Sequence, residues 1–350
     1  MVSHGSNPTS NAAHGLPNTR VITCFKNLRD IRRVPGRLRA VANDTSLQQS
    51  APSKGRIFIR RLFSSIALWS VVVGALFFSQ RLVSETLFLL VMLAIAGFGL
   101  SEFYVLAQKR GLACFRSWGL VGGVLLLAST FYYHHFYAVR NLPPAKANDF
   151  ETGILVVFVL GLCLRQFLSK ANPKAMEGIG TTLLGLMYVP WLLNFIQKLH
   201  FFPPVKDVVV DGNLYVVYFI VVTKFSDLGA YVTGSLLGRH KMIPRISPGK
   251  TWEGFAGAVV ISTLASIIFA HCLTARLYGM NLRHAIILGV LLSVTAVVGD
   301  LIESIFKRES GVKDSGRLFP GIGGMLDLMD SLLFNAPLMY LYLRHILTHP

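Results

Sequence analysis

Nine apolar segments, near residues 61–80, 86–106, 117–136, 153–168, 179–199, 213–237, 254–273, 284–303 and 331–347, limit what this chain can fold into. Most approach the about 20 residues that an α-helix needs to cross the hydrocarbon core of a bilayer. In lipid every backbone N–H and C=O must be satisfied internally, so such runs fold as helices. The 350 residues are 53% hydrophobic and the mean hydropathy is +0.53, too apolar for a soluble domain. The fold class expected is an all-α polytopic integral membrane protein with about nine transmembrane helices. The fourth segment is the shortest of the nine.

Charge gives the orientation. Lys and Arg number 34 against 17 Asp and Glu, a net +17. In a membrane protein this means basic loops and attraction to anionic membrane lipids, and it gives no reason to invoke nucleic acid. If every segment spans, the N-terminal tail and the loops near 108–116, 165–177, 238–253 and 300–330 lie on one side and hold most of the cations. The positive-inside rule then predicts a cytoplasmic N-terminus. The loops after the sixth and eighth segments, which carry the richest polar chemistry, share that face. One composite site facing the cytoplasm follows, where nucleotides are available.

Three regions are expected: a basic, disordered cytoplasmic tail over 1–56, N-terminal transmembrane helices over 57–212, and a C-terminal catalytic transmembrane region over 213–350. The tail is rich in Ser, Asn, Arg and Pro and has no apolar run before residue 57 that would read as a signal peptide. An Arg-rich, acid-poor start also suits an organelle transit peptide, but no clear cleavage signal is visible, so the expected location is a bacterial inner membrane. Cys24, Cys114, Cys163 and Cys272 are scattered and form no C-x-x-C pair, which gives neither a zinc site nor a disulfide framework. Neither H-E-x-x-H nor G-x-S-x-G occurs.

The sixth segment contains Lys224-Phe-Ser-Asp227-Leu-Gly-Ala-Tyr231. Lys224 and Asp227 are three apart and share a helix face, deep in an apolar run where an isolated charge costs a few kcal/mol. They form either an ion pair that locks helix packing or the floor of a polar cavity in which Asp227 helps hold a cation or a nucleotide. The next loop reads Pro244-Arg-Ile-Ser-Pro-Gly-Lys-Thr-Trp-Glu-Gly254. Gly249-Lys250-Thr251 is no P-loop, because Pro244 stands where its first Gly belongs and no strand is expected before it. Ser247 reads as a helix N-cap with Pro248 in the first turn. A helix start beside Lys250, with Arg245 as a second cation, suits phosphate.

The second constellation spans residues 299–331. Asp300, Glu303, Ser304 and Lys307 share one stripe at the end of the eighth segment. Lys307, Arg308, Lys313 and Arg317 add four cations. Pro320-Gly-Ile-Gly-Gly-Met-Leu-Asp327-Leu-Met-Asp330-Ser follows, where the amides of Gly321, Gly323 and Gly324 could face an anion. Asp327 reads either as a simple cap for the ninth helix or, brought beside Asp300, as half of a hard-cation site.

Taken together, these residues resemble the signature of the CDP-diacylglycerol synthase (phosphatidate cytidylyltransferase) family. The match runs through Asp227-x-x-Ala-Tyr231, Ser247-Pro-x-Lys250-Thr-Trp-Glu253-Gly, Gly299-Asp300-x-x-Glu303-Ser304-x-x-Lys307-Arg308-x-x-x-x-Lys313-Asp314-x-Gly316 and Pro320-Gly-x-Gly-Gly-x-x-Asp327-x-x-Asp330-Ser. It covers roughly residues 224–335. Ile322 stands where the family usually has His, Leu328 where it has Arg, and Gly249 where it often has Lys. The resemblance implies transfer of a cytidylyl group from CTP to phosphatidate in the bilayer, giving CDP-diacylglycerol and pyrophosphate with Mg²⁺ as cofactor. It implies Asp300, Asp327 and Asp330 toward metal, with Asp300, Asp327, Lys250 and Lys307 as the catalytic set. Asp227, Ser247, Lys250, Thr251, Lys307, Arg308, Lys313, Gly321, Gly323 and Gly324 would line the substrate site, and a homodimer is left open. The rival readings are a cytidylyltransferase for another lipid phosphate, a non-catalytic relative, and a transporter.

Overall fold

The computed structural model describes residues 70–140, 147–169, 174–205, 210–316 and 323–348. The tail over 1–56, residues 61–69 of the first apolar segment, and Gly321 lie outside the described residues. Of that segment residues 70–80 are described, and they are helical over 70–76. The other eight apolar segments are all helical. They form α1 (Arg81–Lys109), α2 (Arg116–Val139), α3 (Ala147–Leu168), α4 (Ala175–Leu186), α5 (Leu192–His200), α6 (Gly212–Leu236), α7 (Trp252–Cys272), α8 (Leu282–Glu309) and α9 (Leu326–Tyr342). Helices α4 and α5 are one rod, joined by a π-helical turn over Met187–Trp191. Pro190 sits in that turn; proline cannot supply an N–H to the ladder, and the wider turn absorbs the missing bond. The fourth apolar segment, the shortest by sequence, belongs to a 22-residue helix, α3.

Among the described residues, six helices are long and apolar enough to cross a membrane: α1, α3, the α4–α5 rod, α6, α7 and α8. Helix α9 is α-helical for 17 residues and is prolonged by a π-helical turn over Leu343–Leu347. The protein is thus a helical, multi-pass membrane protein, apart from one two-stranded hairpin described below.

Helix α7 shows how the bundle is built. Val260, Leu264 and Ile268, four apart, form an exposed apolar stripe, while Ala258, Ser262, Ser266 and Ala270 are buried on the other side. Lipid is as apolar as leucine, so close backbone approach and hydrogen bonds hold such helices together. Ser262 Oγ donates to the carbonyls of Val222 (3.2 Å) and Gly289 (3.1 Å). Ser266 Oγ reaches Ala285 O at 2.5 Å and the Tyr218 hydroxyl at 2.6 Å. Small residues on α6 and α7 let those two backbones touch: a Cβ at Gly229 would lie 2.8 Å from Gly257 O. These contacts fix α6, α7 and α8 as one bundle.

One local expectation is overturned. Ser247 does not cap a helix. Ser247–Thr251 forms β2, paired antiparallel with β1 (Lys241–Ile243). The N-cap is Thr251, whose Oγ1 accepts the Gly254 N–H at 3.1 Å. Extended pairing wins over an earlier helix start because Glu253 anchors the hairpin's base. Its carboxylate accepts the N–H groups of Arg239 (3.1 Å) and His240 (3.2 Å) and meets His240 Nδ1 at 2.6 Å.

Candidate active site

Four elements converge on one polar cluster: the second half of α6, the hairpin, the end of α8 and the start of α9. On α6, Lys224 Nζ lies 3.1 Å from Asp227 Oδ2 and donates to Leu328 O on α9 at 3.2 Å. The expected i,i+3 ion pair therefore exists, and it also ties two helices together. Asp227 Oδ1 accepts from Ser331 Oγ at 3.3 Å, and Ser331 Oγ reaches Asp330 Oδ1 at 3.1 Å. From the hairpin, Lys250 Nζ pairs with Asp300 Oδ2 at 2.9 Å and donates to Val297 O at 3.1 Å.

Asp300, Glu303 and Asp330 each offer one carboxylate oxygen, and these three oxygens lie within 4.8 Å of one another. Gly299 makes this possible: a Cβ there would stand 2.7 Å from Asp330 O, so α8 and α9 approach closely only with glycine. Glu303 is fully buried and Asp330 only 7% exposed. Lys307 Nζ lies against Glu303 Oε2, while Glu303 Oε1 meets no hydrogen-bond donor. Two buried carboxylates beside a third are costly unless a cation compensates them. All three supply hard oxygen donors, the set that suits Mg²⁺.

Asp327 lies outside this trio and is heavily engaged by the protein. Its Oδ1 accepts from Lys307 Nζ at 2.6 Å. Its Oδ2 accepts the Gly324 N–H (2.7 Å), the Ser315 N–H (2.9 Å) and Ser315 Oγ (2.8 Å). The glycine amide expected to face a ligand anion thus faces the protein's own carboxylate. Gly323, at φ +117°, gives the backbone the turn this needs.

The remaining sequence-selected residues are placed as follows. Ser247 opens β2, half-buried, and the Thr251 hydroxyl is engaged in its cap. Arg308 Nε donates to Ile246 O at 3.0 Å, holding the hairpin to the end of α8. Lys313 is exposed on the bend that follows α8. The cluster therefore gathers Asp227, Lys250, Asp300, Lys307, Asp327 and Asp330, together with Lys224 and Glu303. Ser247, Thr251, Arg308 and Lys313 frame it.

Sequence reasoning missed Glu102. It sits on α1, far away in the chain, and its carboxylate accepts the N–H groups of Met325 (3.0 Å) and Leu326 (2.8 Å) and Ser315 Oγ (3.1 Å). The available signal was an acid inside the second apolar segment, where a charge needs a reason.

This arrangement of carboxylates and lysines where membrane helices meet fits a membrane nucleotidyltransferase, and the comparisons agree. The chain matches the cytidylyltransferase family model over residues 60–346 and belongs to that family. It is 32% identical over 295 residues to a Bacillus subtilis phosphatidate cytidylyltransferase, covering 83% of this chain and 97% of that protein. It is 37% identical over 164 residues to the uncharacterized protein YnbB of Escherichia coli, 47% of this chain and 51% of that one. A Staphylococcus haemolyticus phosphatidate cytidylyltransferase is 42% identical over 133 residues, 38% of this chain and 50% of that one. The chain thus spans about half the length of these last two relatives.

Proposed function

We propose that this protein transfers the cytidylyl group of CTP to phosphatidate, forming CDP-diacylglycerol and releasing pyrophosphate. The observation that carries this is the meeting of Asp300, Glu303 and Asp330 with Lys250 and Lys307 at the end of α8. The lipid's phosphate monoester is an anionic nucleophile near neutral pH, so no general base is needed. One of its oxygens bonds to the α-phosphorus of CTP, and the bond from that phosphorus to the β-bridging oxygen breaks. The electron pair leaves with pyrophosphate. The barrier lies in bringing polyanions together and stabilising the departing charge, which fixed cations do well.

The site's lysines are each matched to a carboxylate: Lys250 to Asp300, Lys307 to Glu303 and Asp327, Lys224 to Asp227. Asp300, Glu303 and Asp330 would hold Mg²⁺, which supplies charge neutralisation for the triphosphate. Lys250 and Lys307 would supply fixed positive charge to the phosphate oxygens. Asp327 keeps the loop over 315–324 in place through Ser315 and Gly324. Tyr231, one turn beyond Asp227 on the same face of α6, is exposed and gives the acceptor lipid an apolar approach from the bilayer.

The proposal includes a cytoplasmic N-terminus, nine spans, the division at residues 56 and 212, and a site facing the cytoplasm from a bacterial inner membrane. Lys241, Arg245 and Lys313 support that orientation, since all are exposed on the hairpin or bend at the site's end of the bundle. The test is pyrophosphate release by purified protein in detergent with CTP, Mg²⁺ and phosphatidate, omitting each in turn. Release that needs all three upholds the reading. CTP binding without release would point to another lipid phosphate as acceptor.

A further inference from the structure

We infer that Glu102 is a positioning residue that sets the geometry of the carboxylate trio from outside it; this rests on the reading of that trio as a cation site. Glu102 touches neither Asp300, Glu303 nor Asp330. It accepts the Met325 and Leu326 N–H groups at the first turn of α9, at 3.0 and 2.8 Å. Those are amides that a helix start leaves without internal partners, and a carboxylate there also opposes the positive end of the helix. The site Asp330 lies one turn further along the same helix, so the rotation and height of α9 that Glu102 fixes are those of Asp330.

A second link runs through Ser315. Its hydroxyl lies 3.1 Å from Glu102 Oε2 and 2.8 Å from Asp327 Oδ2, and Asp327 in turn holds Lys307 at 2.6 Å. Space is fitted to the Glu102 carboxylate as well: a Cβ at Gly316 or at Gly324 would collide with its oxygens. Glu102 also makes the amide nest at the start of α9 unavailable to a ligand phosphate. Phosphate recognition is thereby left to the lysines. A charge placed within an apolar span thus has an electrostatic and a geometric task, both directed at the start of α9.

The test uses the full chain in detergent and the variants Glu102→Gln and Glu102→Ala. Three readouts are taken: Mn²⁺ binding followed by electron paramagnetic resonance, hydrogen–deuterium exchange over 323–328, and pyrophosphate release. Gln retains one acceptor oxygen. Expected are faster exchange at Met325 and Leu326, and Mn²⁺ affinity weakened about tenfold in Glu102→Gln and further in Glu102→Ala, as for other supports of metal ligands. Half-saturating Mg²⁺ for release should rise while the KM for phosphatidate stays. Unchanged Mn²⁺ affinity per folded molecule, even with lower thermal stability, would overturn the inference. Should both variants fail to fold, Glu102→Asp, which keeps the charge but draws the carboxylate back from the Met325 and Leu326 amides, takes their place, and unchanged Mn²⁺ affinity there is equally fatal. If wild type binds Mn²⁺ and loses it on substitution, yet releases no pyrophosphate, the transferase reading fails and the Glu102 inference stands.

Discussion

Glu303 carries the sharpest conflict at the residue scale. It is fully buried, one oxygen faces Lys307, and the other meets no donor. A neutral amide of the same shape relieves the burial of charge, and Lys307 keeps Asp327 at 2.6 Å. Glu303→Gln should therefore hold or raise the melting temperature while cutting Mg²⁺-dependent pyrophosphate release at least about 100-fold, a stability–activity trade. Thermal unfolding and a pyrophosphate assay on one preparation check both halves; full activity would remove Glu303 from the site. Asp300→Asn should abolish turnover with membrane insertion intact. Lys250 meets Asp300 at 2.9 Å, so Lys250→Met combined with Asp300→Asn should cost little more than the worse single change. Additive losses would mean that the two act separately. Some of this was legible in the chain: Lys224 and Asp227 share a face at i,i+3 and do pair. The Glu102 contacts were not, because a bond between α1 and α9 leaves no trace in local spacing.

At the scale of elements, the site depends on how closely α8 approaches α9. Gly299 sets that distance, with Asp330 O only 2.7 Å from where a Cβ would sit. Gly299→Ala should force the helices apart, destabilise the bundle by about 1–3 kcal/mol as overpacking does, and lower turnover by more than the stability loss explains. Asp300 and Asp330 ride on the two displaced helices. Thermal stability and release rate, compared with Gly289→Ala earlier on α8 at Thr263, separate the local effect from general loosening. The helices were readable because apolar length dictates a helix in lipid: the sixth segment, expected at 213–237, is observed as Gly212–Leu236. The hairpin was not. Ser247-Pro248 has the chemistry of a helix start, and only the reach of Glu253 back to Arg239 and His240 favours strands. Asp327 was similarly ambiguous, since cap and metal ligand call for the same residue type. Its four bonds to Lys307, Ser315 and Gly324 form only once the loop is folded.

For the whole molecule the open question is which way the bundle faces, and the structure makes it testable at two points. Helix α6 has 25 residues, about 37 Å at 1.5 Å each. The hairpin and the carboxylate trio lie toward its C-terminal end. The start of α8, where Arg283 is exposed, lies at the other end, because α7 returns across the bundle between them. Arg245 is exposed on the hairpin turn. With the four native cysteines replaced, Arg245→Cys should react with a membrane-impermeant thiol reagent only after cells are opened, and Arg283→Cys in intact cells. CTP and Mg²⁺ are cytoplasmic, so a site at the hairpin end works only in that orientation. The reverse labelling pattern would leave the trio intact but place it where no nucleotide arrives, and the transferase reading would fall with it. Labelling of both from the same side would instead deny α7 a full crossing, against its hydropathy.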